Sequence, residues 1–141
     1  LAEVTFQMVA APKFLDSFGR PKTPGDLNDA PMLAYSQVAA DGRIKFGGAT
    51  GMDIKLRPIL TSSNESILHQ AAVAGMGFAM LPNWAAQDDV KDGRLEVVLP
   101  MVAWPKLYIQ AIYADRSYLP AKVRSFLDFL AGPDGFTAVL K

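Results

Sequence analysis

Between Thr61 and Pro82 the chain carries a helix start, a helix stop and an apolar strand in close succession. Together they fix a helix-to-strand unit of an α/β chain. Ser62 and Glu65 have the spacing of a capping box, in which a hydroxyl and a carboxylate satisfy the free amides of a helix start. The spacing predicts a helix over Asn64 to Ala74. Ile67, Leu68, Ala71 and Ala72 form its buried stripe. Gly75 supplies the left-handed conformation that ends a helix. Phe78 to Leu81 then read as a short strand, closed by Pro82. Thr61, Ser62, Ser63 and Asn64 therefore sit where a strand hands over to a helix N-terminus. Unpaired amides and the helix dipole suit that place to an anion.

The same strand-and-helix rhythm continues on both sides. Val4 to Ala10 reads as a strand, and a short helix follows from Pro12 to near Gly19. Thr23 and Pro24 have the chemistry of an N-cap and a first helical position. Met32 to Tyr35 is a short strand, and residues 39–53 are loop-rich around a strand Arg43 to Phe46. Ile54 to Leu60 is a strand that Pro58 confines to an edge. Asn83 caps a short helix through Asp89, and Leu95 to Leu99 is a strand. Lys106 to Asp115 is the longest strand candidate, and its weak alternation suggests burial on both faces. Pro120 to Ala131 is the clearest amphipathic helix. Its stripe is Val123, Phe126, Leu127 and Leu130, widened by Phe129, and Gly132-Pro133 ends it. Alternating strands and helices imply an α/β fold with a mixed sheet and flanking helices.

Composition removes several classes of function. Half of the 141 residues are hydrophobic and 20% are charged, so a packed core is within reach. Fourteen basic residues balance fourteen acidic ones. A neutral chain without a basic cluster is poorly built for direct nucleic-acid contact, which relies on Lys and Arg. The absence of cysteine excludes a disulfide framework and a thiolate metal site. No apolar run approaches the roughly 18 residues of a membrane span. The chain opens at Leu1 and not Met, which suggests a fragment or a processed product.

Each residue with chemical potential has a plain structural alternative. His69, the single histidine, lies off the apolar stripe and reads as an ordinary solvent-facing residue. Without a second histidine or a cysteine it makes a poor metal ligand. Ser62 and Ser63 lack a base. His69 lies roughly 9 to 10 Å further along the same helix, too far to serve a nucleophile. Gly75-Met76-Gly77 does not open a dinucleotide site, because position 80 is Met80 and the glycines close a helix. Gly47-Gly48-Ala49-Thr50-Gly51 reads as a loop, since no Walker lysine follows. Asp88, Asp89 and Asp92 lack the alternating ligand spacing of a calcium loop and read as a solvated turn. Trp84 and Trp104 read as partly buried beside prolines. Tyr35 and Ser36, at a strand end, form a second ligand-contact candidate. No catalytic residue, metal site or cofactor is expected.

Four segments in order resemble the effector-binding domain of LysR-type transcriptional regulators. Val9 to Leu15 with Gly19-Arg20-Pro21 and Thr23 to Leu27 resembles the family pattern ASPxYL…GxPxxPxDL. Ser63-Asn64 with Ala74 to Pro82 resembles SN…AGxGIAxLP. Gly93-Arg94-Leu95 with Val98-Leu99 resembles GxLxxVL, and Val123 to Leu130 resembles VRxFIDFL. Ala11 departs from the usual serine before Pro12. Asp29 to Met32 replaces a common histidine-containing stretch.

The resemblance implies a type-2 periplasmic-binding-protein-like fold, in which two α/β subdomains clasp a small molecule. It implies that residues 1–110 form regulatory subdomain II and 111–141 a C-terminal segment of subdomain I. The N-terminal winged helix-turn-helix and the first part of subdomain I are expected to lie outside this chain. The implied partners are a small, commonly anionic effector at Thr61, Ser62, Ser63 and Asn64, and further copies in a dimer or tetramer. DNA contact is expected only through the N-terminal domain, with no membrane contact and a cytoplasmic location. Two alternatives share parts of this reading: an exported solute-binding protein of a transporter, and a small α/β enzyme. The stripe of the helix Pro120 to Ala131 needs an apolar surface or lies exposed.

Overall fold

The computed structural model describes residues 2–46, 51–112, 120–133 and 135. They fall into two compact units, Thr5–Pro105, and Leu1–Val4 with Lys106–Lys141. β1 (Ala2–Ala10) starts in the smaller unit and continues into the larger one, along which follow α1 (Pro12–Phe18), a 3-10 turn (Pro24–Leu27), β2 (Pro31–Tyr35), α2 (Ser36–Asp41), β3 (Arg43–Phe46) and β4 (Met52–Lys55). Then come β5 (Arg57–Ser62), α3 (Glu65–Val73), β6 (Phe78–Pro82), α4 (Asn83–Lys91) and β7 (Glu96–Val98). The main sheet is ordered β5-β2-β6-β1-β7, and β3 pairs with β4 in a separate ribbon. β2 runs parallel to β5 and β6, whereas β1 is antiparallel to β6 and β7. The expected α/β fold with a mixed sheet is observed.

Period-two alternation puts successive side chains on opposite faces of the sheet, and here both faces are covered. Met8, Ala10, Met32, Ala34 and Phe78 join Leu15, Leu27, Ile44, Ile54 and Trp104 in one core. Val9, Leu33, Ala79 and Leu81 join Leu68, Ala71, Ala72, Ala86 and Leu95 in the other. Helices α3 and α4 thus close one face, while α1 and the β3–β4 ribbon close the opposite one. Thr23 starts the 3-10 turn as expected, and Asp26 Oδ2 accepts the backbone N–H groups of Lys22 and Thr23.

Several elements differ from their expected form. The segment Ile54 to Leu60 is two strands. Leu56 turns inward between them as a core residue, with its N–H donated to Gly42 O at 3.0 Å. Pro58 does lie on an edge strand, where it coincides with a register shift between Met32 and Leu33. A proline that lacks an amide is tolerated there. α2 begins at Ser36, directly after β2, and reaches into the segment 39–53 read as loop-rich, where Gly42, at φ 65°, ends it. α3 is shorter than expected, from Glu65 to Val73, and Ile67 is 49% exposed, because the buried stripe is Leu68, Ala71 and Ala72. The capping box between Ser62 and Glu65 is not formed. Asn64 is the N-cap and accepts the Ser66 N–H, while Ser62 Oγ accepts the Asn64 N–H. Asn83 is the first residue of α4, not its cap, and the helix runs on to Lys91. Trp104 is buried as part of a core, whereas Trp84 is 41% exposed.

In the smaller unit β8 (Lys106–Ile109) pairs with β1, and Lys106 Nζ lies 2.8 Å from Glu3 Oε1. The strand read over Lys106 to Asp115 therefore stops at Ile109 among the described residues; Tyr113 to Asp115 lie outside them. Leu107 and Tyr108 are exposed rather than buried on both faces. α5 (Ala121–Ala131) is capped by Pro120 and ended by Gly132. Val123 is 40% exposed and Phe126 and Phe129 are each 60% exposed, so the apolar stripe lies open within this unit. Gly47 to Thr50, read as a loop, lie outside the described residues.

Candidate functional site

Parallel pairing brings the two polar patches together. In the register of β2 and β5, Ala34 faces Thr61 and Tyr35 faces Ser62. Both strands end at the same edge, so Tyr35 and Ser36 lie beside Thr61 to Asn64. β6 runs in the same direction, and α2, α3 and α4 begin directly after β2, β5 and β6. In open α/β sheets ligands gather outside the carboxyl ends of parallel strands. Thr61, Ser63, Asn64 and Ser36 are exposed, and Ser62 and Tyr35 are half-buried.

The start of α3 is partly self-satisfied. Asn64 Oδ1 accepts the Ser66 N–H at 2.9 Å, and Ser62 Oγ accepts the Asn64 N–H at 3.0 Å. These bonds order the ledge and occupy two of its donors. Ser63 and Thr61 project from it as exposed hydroxyls. Glu65, in the first turn, already complements the helix dipole. Its Oε2 lies 3.5 Å from Tyr35 Oη. Burial pushes the Glu65 carboxyl above its ordinary value, against the pull of Tyr35 and of His69. Burial, then the Glu65 charge, pushes the Tyr35 phenol up to about 12. An arriving anion would meet the exposed hydroxyls and amides with this carboxyl at its side.

The expectations for His69 and Asp89 need correction. His69 Nε2 meets Asp89 Oδ2 at 2.5 Å, with side chains 20% and 7% exposed. Asp89 is therefore no solvated turn residue and His69 no plain surface residue. Arg94 Nε stands 2.7 Å from Asp89 Oδ1, although its N–H is not aligned to donate to that oxygen. The reading from spacing missed this cluster, because the two residues lie on different helices. Glu65 was readable only as a capping residue, and its pairing with Tyr35 depends on the sheet. Among the described residues no three His, Asp or Glu side chains gather as a metal site. Among them, too, no helix is long and apolar enough to cross a membrane.

The model of the LysR substrate binding domain family matches residues 1–132. The chain belongs to the LysR substrate-binding domain family. Among curated proteins this LysR domain is 28% identical over 142 residues to the Escherichia coli K12 regulator YhjC, covering 94% of this chain and 45% of that protein. It is 26% identical to the transcriptional regulator CrgA of Neisseria meningitidis serogroup C, over 92% of this chain and 44% of CrgA. It is also 26% identical to the transcriptional activator AaeR of E. coli K12, over 92% and 42%. The chain spans less than half the length of these relatives. Among solved structures, the CrgA regulatory domain superposes with a TM-score of 0.67 at 24% identity, over 92% of this chain and 64% of that one. Full-length AphB, a Vibrio cholerae virulence activator, gives 0.68 at 22%, over 90% and 44%. The fold is thus that of LysR regulatory domains, which is periplasmic-binding-protein-like. The relatives are transcriptional regulators, and this sets the transporter alternative aside.

Proposed function

We propose that this LysR domain senses a small anionic metabolite on behalf of a bacterial transcription factor and performs no catalysis itself. The effector is held at Thr61, Ser62, Ser63 and Asn64, with Tyr35 and Ser36 at its side. The observation that carries this reading is the β2–β5 register, which gathers all six residues at one carboxyl edge beside a helix start. Exposed hydroxyls orient the ligand, and backbone amides offset its charge. Residues 1–110 serve as regulatory subdomain II and 111–141 as part of subdomain I. The opposing jaw of the site and the DNA-binding domain belong to the longer protein, a cytoplasmic dimer or tetramer. The domain reports binding only if the ligand favours one arrangement of the subdomains over another.

The test is calorimetry of the full-length protein against a panel of carboxylates. A ligand bound by wild type should lose at least about tenfold in affinity in Ser63→Ala and in Asn64→Ala, the loss of one charge-assisted hydrogen bond. Unchanged affinity in both variants removes the site.

A further inference from the structure

Helix α3 rests on its sheet through Leu68, Ala71 and Ala72. Two of these three are alanines, and apolar contact is non-directional. Such a stripe decides which face of α3 is buried, but two small side chains interlock weakly with the sheet and leave the exact angle and slide of the helix to directional contacts. A directional contact joins α3 to α4, His69 Nε2 to Asp89 Oδ2 at 2.5 Å. Asp89 is held in its turn. Its side chain is 7% exposed, Arg94 Nε stands 2.7 Å from Oδ1, and its carbonyl accepts the N–H groups of Arg94 and Leu95 at 2.8 and 3.0 Å. Toward the other end, Glu65 precedes His69 by one helical turn on the same side of α3, and its Oε2 lies 3.5 Å from Tyr35 Oη. One face of α3 thus carries two polar contacts a helical turn apart, Glu65 to Tyr35 at the end of β2 and His69 to the buried carboxylate of Asp89 on α4.

We propose that His69 and Asp89 are positioning residues that set the rotation of α3 and so hold the Asn64–Ser66 cap of the ligand ledge in register with Tyr35. This deepens the proposed function, because the ledge matters only if that reading is right. Burying a carboxylate costs more than burying an apolar side chain of like volume. A helix that must present its first turn at a fixed angle gives that carboxylate a reason to be there.

Amide hydrogen exchange in the full chain tests this without any ligand. The probes are the Ser66 N–H, held by Asn64 Oδ1, and the mid-helix amides of Leu68 to Ala72. In His69→Leu, Ser66 exchange should rise about tenfold while the mid-helix amides change far less. His69→Gln keeps a donor within reach of Asp89 and should restore most of the protection. If His69→Leu does not fold, Asp89→Leu, which removes the acceptor, is read the same way. Unchanged Ser66 exchange, or an equal acceleration of every amide in α3 and the sheet, overturns the proposal. Calorimetry that fails to find an effector would leave this readout untouched, so the two readings fail separately.

Discussion

The hydroxyl of Tyr35, at the end of β2, lies 3.5 Å from Oε2 of Glu65, in the first turn of α3. Burial raises the carboxyl of Glu65 above its ordinary value of 4.5. An acid with a raised folded-state value contributes stability that is full below its unfolded value and lost as pH rises through the folded one. The stability of wild type relative to Glu65→Gln should therefore fall between pH 4 and pH 7. Urea unfolding of both proteins across that range measures it. A constant difference, or one that grows with pH, contradicts the burial of Glu65.

Glu96 has the opposite sign. Arg20 bonds it through Nε at 2.8 Å and holds its carboxyl below the usual range. Its contribution is present above the unfolded value and is lost as pH falls through the lowered one. Arg20→Gln should therefore destabilise the chain more at pH 7 than at pH 3. Equal effects at both values would mean that the pair does not persist in solution.

Asn64→Ala removes the side chain that caps α3. Loss of an N-cap costs about 1 kcal/mol. Ser62→Ala leaves that bond in place and should cost less. Chemical denaturation should rank the variants in this order. The reverse order would restore the capping box between Ser62 and Glu65.

A Cβ on Gly77 would stand 2.7 Å from Pro31 O, a backbone atom of the neighbouring strand β2. Backbone within a paired sheet cannot step aside, so Gly77→Ala should cost about 1 to 3 kcal/mol. Gly93 is in the left-handed region at φ 74°, with open space around it. Gly93→Ala should show only the conformational strain, about 1 kcal/mol. Thermal unfolding that finds Gly77→Ala neutral would show that the two strands can separate at that point.

Phe78 is fully buried and meets Phe14 and Phe18 edge-on, with ring centroids at 5.0 and 5.3 Å. Phe78→Ala should cost about 3 to 5 kcal/mol, a large share of a typical domain's stability. Circular dichroism of that variant should show a substantially unfolded population. A native-like melting curve would mean that α1 collapses into the space.

Local spacing alone determined a good deal here. Strand ends, Pro-led helix starts and Gly75, at φ 80°, are set by interactions among near neighbours. α1, β6 and α5 were legible within about a residue for that reason. The ordered motifs were enough to identify the LysR family. Tertiary structure decided which of these pieces meet. Tyr35 came to lie opposite Ser62 only through the parallel register of β2 and β5. His69 found Asp89 only because two helices pack on one face of the sheet. Ile67 was turned outward and Leu56 inward by packing that no single helix or strand period contains. A chain segment can specify its own dihedral angles and caps, whereas contacts between distant residues depend on the cooperative closing of a whole core.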